Sequence, residues 1–132
     1  MLTTDDRLAI HELLALHGHL MDDGAFDQLP TLFTEDITYD VTALGGGVLT
    51  GFAAITAAAQ ALGDRNPVAH HVTNIRVETT PDGTVRARSK GLGITTDGLC
   101  GSVTYDDTLR QTPTGWRISH RTVTPRRTPL HP

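Results

Sequence analysis

Cysteine is almost absent from this 132-residue sequence, and Cys100 alone cannot form an internal disulfide. The same scarcity excludes metal sites built from paired cysteines and is typical of proteins in a reducing compartment. No apolar run approaches the roughly 20 residues that are needed to span a bilayer. The first residues also lack the basic and then apolar order of a signal peptide. These absences together predict a cytoplasmic protein without a membrane partner.

Basic residues are also fewer than acidic ones. Eleven Lys and Arg residues against 15 Asp and Glu give a formal net charge of −4 at pH 7. A nucleic-acid partner usually requires a clustered basic face, so none is expected. The sequence has no Gly-x-Ser-x-Gly nucleophile elbow, and Gly45-Gly46-Gly47 continues into neither type of phosphate-binding loop.

The order of the elements predicts an α+β fold, with helices first and an antiparallel meander after them. A helix over residues 4–21 is expected from its apolar spacing, with a capping box at Thr3 and Asp6 and a stop at Gly24. The other predicted elements are a short helix over 26–33, a strand over 37–41, a helix over 52–62 and strands over 68–78, 85–95, 99–111 and 116–124.

The length fits one domain over residues 1–132, with an irregular C-terminal tail from about 125 to 132. The basic run made by Arg121, Arg126 and Arg127 near this end is typical of a mobile terminus. The alternative is a tail that folds over the mouth of a pocket.

Asp22 and Asp23 stand at the C-terminal end of the first predicted helix, where the helix dipole favours cations instead. Each such carboxylate costs roughly 0.3–1 kcal/mol. Sites that break a local rule are often functional. Asp22 is therefore a candidate functional carboxylate, although an exposed residue at a helix end is the simpler interpretation.

A second unusual feature is His70-His71 on a predicted strand. Strand alternation puts Val68, His70, Val72 and Asn74 on one face, and His71, Thr73, Ile75 and Val77 on the other. The neighbouring strands carry small side chains, among them Ala87, Ser89, Cys100, Gly101, Ser102 and Thr104. Such residues leave room that either the helices or a ligand must fill.

His70 has two possible roles. It is either a core imidazole that bonds to a backbone carbonyl, or a general base that a carboxylate orients and stabilises. His17 falls on the apolar stripe of the first helix and is expected to point inward. The histidines show no metal-ligand spacing, since His17 and His19 do not share a helix face.

Several segments together resemble the SnoaL-like domains of the nuclear transport factor 2-like superfamily. They are Ile10-His11-Glu12-Leu13-Leu14, Asp22 to Leu29, Leu32 to Asp36, His70-His71-Val72-Thr73-Asn74, Tyr105-Asp106-Asp107, Gly115 to Ile118 and His120-Arg121. The resemblance covers nearly the whole chain. It implies a cone-shaped barrel in which a strongly curved, mostly antiparallel sheet wraps around the N-terminal helices and encloses a pocket.

Relatives of this kind include scytalone dehydratase, polyketide cyclases, a steroid isomerase and a dehydrochlorinase, some of which pair an Asp at the end of the first helix with a His on a long strand. Asp22 and His70 match that pair, and His71 is the alternative match. The resemblance implies a cofactor-free lyase or isomerase without a metal, acting on a small, largely apolar molecule. It also implies a homodimer or homotrimer.

The remaining predicted substrate-binding residues surround this pair. They are His17, Met21, Tyr39, Val72, Asn74 and Ser102. Some relatives carry tyrosines at the positions of His17 and Met21, which leaves Tyr39 as the expected phenol. Two alternatives stay open: a small-molecule-binding protein without catalysis, and a dimerisation module that uses the face of Arg86, Arg88 and Lys90.

Overall fold

A computed structural model describes residues 1–131 of the chain. Two α-helices and six β-strands form the fold of this part. They are α1 Thr4–Asp23, β1 Phe33–Asp40, β2 Val48–Thr50, α2 Gly51–Leu62, β3 Ala69–Thr79, β4 Val85–Ile94, β5 Cys100–Thr112 and β6 Gly115–Arg126. Short 3₁₀ helices occupy Phe26–Thr31, Thr42–Leu44 and Gly63–Arg65.

Helix α1 begins and ends as its sequence predicts. The Thr3 hydroxyl accepts a hydrogen bond from the Asp6 amide, and the Asp6 carboxylate accepts one from the Thr3 amide, which confirms the capping box. Gly24 ends the helix at φ 63°, a left-handed conformation that glycine adopts without a steric penalty. The helix predicted for 26–33 is only the 3₁₀ turn Phe26–Thr31, because Pro30 has no amide hydrogen to continue it.

The six strands form one sheet in the order β2-β1-β6-β5-β4-β3. Strands β3 to β6 make the predicted antiparallel meander, and β1 joins the sheet by pairing in parallel with β6. Strand β2, a three-residue partner of β1, was not expected from the sequence. The α+β class is confirmed.

The predicted cone-shaped barrel is not what forms. In the part of the chain that the structure describes, β2 and β3 are the two edges of the sheet and do not pair with each other, and the sheet is neither closed nor strongly curled. The edge strand β2 has only three residues, which leaves little backbone for pairing with the other edge strand, β3.

The core lies between the helices and one face of the sheet. Helix α1 packs along β3 and also touches β6, while α2 covers β1 and β2. The buried apolar side chains are Ile10, Leu13, Leu14, Leu20, Leu29, Leu32, Phe33, Ile37, Ile55, Ala87, Leu109 and Ile118.

Both ends of α1 are fixed to β3. Near the N-terminal end, Arg7 Nη1 donates a hydrogen bond of 2.9 Å to the carbonyl oxygen of Val77. Near the C-terminal end, Asp22 bonds to His70. The helix and the strand therefore run antiparallel to each other over the whole distance between these two contacts.

A β-bulge at Asn74 changes which residues of β3 face the core. The pairing register with β4 slips here, and Asn74 takes a positive φ of 56°. Val72 packs against the core before the bulge, and Ile75 and Val77 do so after it. The uniform alternation expected from the sequence is therefore wrong, because the extra residue reverses the facing of the second half of the strand. Asn74 itself is exposed.

The basic C-terminal run is also corrected. Strand β6 continues to Arg126, so the irregular tail begins at residue 127, and the last residue of the predicted tail, Pro132, lies outside the described residues. Arg121 belongs to the middle of β6 and is completely buried, whereas Arg127 is exposed. Neither helix of the described chain is long and apolar enough to cross a membrane.

Candidate active site

Asp22 and His70 are in direct contact although 48 residues separate them. The Asp22 carboxylate accepts two hydrogen bonds from His70, one from ring Nδ1 to Oδ1 at 2.6 Å and one from the backbone amide to Oδ2 at 3.1 Å. This double contact accounts for an acidic residue at the negative end of α1, because hydrogen bonds to a carboxylate are stronger than neutral ones. It also fixes the orientation of the imidazole.

Gly18 allows α1 to come this close to β3. A Cβ at this position would lie 2.5 Å from the carbonyl oxygen of His70, which is well inside contact distance. Glycine inside a helix costs roughly 1 kcal/mol relative to alanine. The close approach of the two backbones explains why a glycine stands one turn before Asp22.

The hydrogen bond to Asp22 determines the tautomer that is able to act as a base. With its proton on Nδ1, the neutral His70 ring has a free lone pair on Nε2, which has no hydrogen-bond partner within residues 1–131. The side chains of His70 and Asp22 are 22% and 25% exposed. The pair therefore lies at the rim of the molecule, between solvent and a buried aromatic cluster.

The aromatic cluster is centred on His17, which is 1% exposed. Its ring centroid lies 6.3 Å from that of His70, 6.2 Å from Tyr39 and 5.6 Å from Tyr105. Its Nε2 is 3.2 Å from the Tyr39 hydroxyl oxygen. Burial holds the pKa of His17 well below its ordinary value of 6.5, and the charge of Arg121 lowers it further, so this imidazole is neutral near pH 7.

A buried ion pair lies beneath the cluster. Arg121 Nε and Nη2 donate to the two carboxylate oxygens of Asp107 at 2.7 and 2.8 Å, and both side chains are fully buried. Burial alone would lower the pKa of Arg121, but the Asp107 carboxylate raises it above its ordinary value. The guanidinium carbon lies 4.1 Å from the centroid of the Tyr105 ring, within the range of a cation–π interaction.

Tyr105 fills the space that the small residues of β4 leave. Its ring atoms lie 2.4 to 2.6 Å from the place that a Cβ of Gly91 would occupy, so the ring rests directly on the Gly91 backbone. Burial raises the pKa of the Tyr105 phenol, and electrostatic repulsion from the Tyr39 phenol raises it further. Part of the space expected for a ligand is therefore occupied by the protein itself.

Of the six predicted binding residues, His17 is the centre of the cluster, three others lie near the pair or in the cluster, and two lie in neither place. Met21 and Val72 pack against the core next to Asp22 and His70, and Tyr39 lies in the cluster. Asn74 is on the bulge and exposed. Ser102 pairs with Leu92, which pairs with His71, so these three residues share the sheet face opposite to His70. On β5, the residue that shares the sheet face of His70 is Gly101, which pairs with Gly93, and not Ser102.

Two surface cavities are present elsewhere. The first, of about 590 Å³, is lined among others by Phe33, Phe52 and Arg110. The second, of about 460 Å³, lies between α1 and the turn before β6, beside Leu16 and Trp116. Neither contains Asp22 or His70, so neither is the enclosed pocket that was expected around the pair. No group of three or more His, Cys, Asp or Glu side chains in the described ranges is arranged to hold a metal ion.

Sequence reasoning overlooked three residues that shape this region. They are Asp107, Arg121 and Tyr105. Alternation along the predicted strand over 99–111 could have indicated that Tyr105, Asp107 and Leu109 share one face. The signal was hidden because a charged residue on an alternating strand normally marks the solvent face.

Comparison with known proteins identifies the family of the chain. The family model described as SnoaL-like domain matches residues 3–122, and the chain belongs to this family. A Mycobacterium tuberculosis (strain ATCC 25618 / H37Rv) protein, Rv2910c, which is described as uncharacterized, is 33% identical over 128 residues. That match covers 90% of this chain and 84% of the relative.

Solved structures show the same NTF2-like, cystatin-like fold. An NTF2-like protein from Novosphingobium aromaticivorans is 32% identical with a TM-score of 0.74, over 92% of this chain and 82% of that one. A candidate scytalone dehydratase from the same organism is 23% identical with a TM-score of 0.73, over 98% and 93%. At this identity the second likeness concerns the fold alone. Relatives that share the fold thus include proteins described as enzymes.

Proposed function

We propose that this protein is a cofactor-free acid–base catalyst that acts on a small, largely apolar molecule, as a lyase or an isomerase. The observation that carries the proposal is the 2.6 Å contact between His70 Nδ1 and Asp22 Oδ1, which leaves Nε2 free. A carboxylate that holds an imidazole in this way fixes its tautomer and stabilises the imidazolium that forms when the ring accepts a proton.

In the proposed reaction His70 Nε2 removes a proton from a carbon next to a carbonyl group. The electron pair of the broken C–H bond forms a C=C bond, and the π pair of the carbonyl group moves to its oxygen to give an enolate. The imidazolium then returns the proton. When the proton goes to a β-hydroxyl group, the carbonyl group re-forms, a double bond forms between the α and β carbons, and the C–O bond breaks with release of water. When the proton goes to a different carbon of a conjugated enolate, the carbonyl group re-forms and an isomer results. Attack of the carbanion on a second carbonyl closes a ring, and the proton then goes to the new alkoxide.

The proton transfer by His70 and Asp22 needs to supply only part of the rate enhancement. General acid–base catalysis by a positioned side chain contributes about 10²–10⁴-fold in rate. The rest must come from positioning of the substrate. Met21 and Val72, which are partly buried beside the pair, offer the apolar contact that would hold the carbon skeleton.

Deuterium exchange tests the proton transfer without knowledge of the natural substrate. The probe is β-tetralone, a small bicyclic ketone with acidic carbon-bound hydrogens, incubated with the protein in D₂O and followed by mass spectrometry. We expect exchange above the buffer rate, and a loss of about 10²-fold or more in His70→Ala. His71→Ala is the matched control, because His71 is exposed on the opposite face. Equal exchange by wild type and His70→Ala would reject the mechanism.

A second function has one observation in its favour. Because Tyr105 rests on Gly91 and fills part of the interior, the chain also suits a dimerisation module that uses the exposed face of Arg86, Arg88 and Lys90. A non-catalytic ligand binder, which needs an open pocket, is the alternative that this filling does not favour. If the chain is a dimerisation module, it forms a homo-oligomer, and Arg88→Glu should dissociate that oligomer. Light scattering measures the change in molecular mass. The binder predicts probe binding without deuterium exchange.

A further inference from the structure

We propose that the first cavity, between β1, α2 and the turn that joins β5 to β6, binds a small uncharged molecule with an aromatic body and a hydroxyl group that donates a hydrogen bond to Thr34. The cavity measures about 590 Å³ and contains neither Asp22 nor His70, so the inference does not depend on the proposed function. Volumes of about 300–1,000 Å³ are typical of sites for small molecules.

The cavity opens where β1 departs from regular pairing with its parallel partner, β6. Strand β1 advances by five residues, from Phe33 to Thr38, while β6 advances by only two. The extra residues of β1 are therefore not matched by residues of β6. Irregularities of this kind often lie next to functional sites. Three of the residues in this stretch line the cavity, and they are Thr34, Glu35 and Asp36.

Thr34 supplies a buried hydroxyl group without a hydrogen-bond partner. The residue lines the cavity and is only 7% exposed, and its Oγ1 makes no hydrogen bond within residues 1–131. Buried polar groups in folded proteins are nearly always hydrogen-bonded. The missing partner at the wall of a cavity indicates a ligand atom.

The free capacity of this hydroxyl is that of an acceptor. The Thr34 hydroxyl and Arg110 lower the pKa of Asp36, so the hydroxyl hydrogen is directed toward that carboxylate, although without a hydrogen bond of normal geometry. Both lone pairs of the hydroxyl oxygen then stay free. A ligand that completes the site must therefore donate a hydrogen bond, as an alcohol does and an ether does not.

The charged side chains of the lining favour a ligand without charge. The carboxylates of Glu35 and Asp36 are balanced by two guanidinium groups, those of Arg110 and Arg117. Asp36 is paired with Arg110 at 3.1 Å. The Arg117 Nε donates to the carbonyl oxygen of Pro30 at 2.9 Å, which holds this guanidinium at the wall. Neither a cation nor an anion therefore meets an excess of opposite charge.

Apolar side chains supply the rest of the wall. They are Pro30, Phe33 and Phe52. Phe33 is 1% exposed, whereas Phe52 is only partly buried against the core, so the aromatic surface that a ligand reaches belongs mainly to Phe52. Aromatic rings pair favourably in offset or edge-to-face arrangements. This surface is the reason for an aromatic body in the ligand.

The test uses 2-phenylethanol, titrated into ¹⁵N-labelled protein at pH 7 and followed by NMR. We expect saturable shifts of the amide signals of Thr34 and Phe52, and none at His70. The methyl ether of 2-phenylethanol has the same ring but cannot donate, and it should bind about fivefold more weakly, which corresponds to one neutral hydrogen bond. Phenethylamine and phenylacetate, which carry charge, should also bind more weakly than the alcohol.

Thr34→Val removes the acceptor and should bind the alcohol about as weakly as the ether. Thr104→Val is the matched control, because the Thr104 hydroxyl is also buried without a partner but lies outside the cavity, and this variant should bind as wild type does. Thermal unfolding of Thr34→Val should match or exceed that of wild type, since a methyl group replaces an unpartnered hydroxyl. The comparison of alcohol with ether uses wild type and does not require a stable variant.

Several outcomes overturn the proposal. They are shifts centred on the second cavity or on the Asp22–His70 pair, equal affinities of wild type for the alcohol and the ether, and a Thr34→Val variant that still prefers the alcohol. Tighter binding of phenethylamine or phenylacetate would reject an uncharged ligand. His70→Ala should bind 2-phenylethanol as wild type does, so a failure of β-tetralone exchange would reject the proposed function and leave this site standing.

Discussion

Gly18 of α1 lies against the backbone of His70, so closely that a Cβ would come within 2.5 Å of the carbonyl oxygen. In most helix interiors a glycine-to-alanine change stabilises the fold by up to about 1 kcal/mol. Here the added methyl group must move either the helix or the strand, and overpacking of this kind costs typically 1–3 kcal/mol. The two effects have opposite signs, which makes the substitution informative.

Gly18→Ala should therefore lower the free energy of unfolding in urea, against its helix propensity, and reduce deuterium exchange by moving Asp22 away from His70. Ala15→Gly is the control, because residue 15 is exposed on the same helix and reports the propensity term alone. An increase in stability for Gly18→Ala would show that the strand yields without cost.

Asp22→Asn should abolish proton transfer while the fold survives. The amide oxygen still accepts the bond from the His70 amide, but its neutral side chain no longer stabilises an imidazolium on Nδ1. Asp23→Asn removes the same charge one residue further along, where Asp23 is exposed, and should leave the exchange rate unchanged. Equal rates for the two variants, measured with β-tetralone, would contradict a role for the carboxylate.

Asp107→Ala should destabilise the protein by about 3–5 kcal/mol, because it leaves the Arg121 charge buried without its partner. Domains of this size are stable by only about 5–15 kcal/mol, so the loss is a large fraction of the total free energy of unfolding. Urea denaturation followed by the fluorescence of Trp116 measures the loss. Asp36→Ala is the control, because it breaks the ion pair between Asp36 and Arg110, whose side chains are 67% and 53% exposed. It should have little effect on the free energy of unfolding.

Stability should fall with acid through His17. Its pKa is lowered in the folded protein, so between that value and the ordinary 6.5 the unfolded chain binds more protons. The free energy of unfolding therefore decreases as the pH falls below about 6.5, by up to about 1.4 kcal/mol per pH unit, and gains nothing from this group above it. His17→Asn should have a shallower slope in this window. Parallel slopes for the two proteins would exclude His17 as the source.

Much of the fold follows from local sequence signals. The capping box at Thr3 and Asp6, the stop at Gly24 and the turns of the meander are set by residues close in sequence, so α1 and β3 to β6 were predicted within a few residues. Strand β2 was missed because three residues after a glycine-rich loop show no periodicity. The parallel partnership of β1 with β6 depends on contacts between distant segments, which local patterns do not encode.

The site was predictable only in part for a related reason. The contact between Asp22 and His70 agrees with the sequence hypothesis, although their catalytic role remains a prediction. The prediction that Asn74 shares a sheet face with His70 is wrong, because a bulge at Asn74 inserts one residue and reverses the alternation of the side chains. Arg121 was assigned to a mobile end because its carboxylate partner, Asp107, lies on another strand. The filling of the interior by Tyr105 depends on a glycine of a third strand.

Because α1 contacts β3 near both of its ends, the length of the helix between Arg7 and Asp22 must match the length of the strand between His70 and Val77. From Arg7 to Asp22 the helix rises about 22 Å, at 1.5 Å per residue. From His70 to Val77 the strand spans about 23 Å, at 3.3 Å per residue. A one-residue deletion between Arg7 and Asp22 would turn one end by about 100° relative to the other. The contact between Asp22 and His70 therefore depends on the number of residues in the helix as well as on the identity of the two side chains.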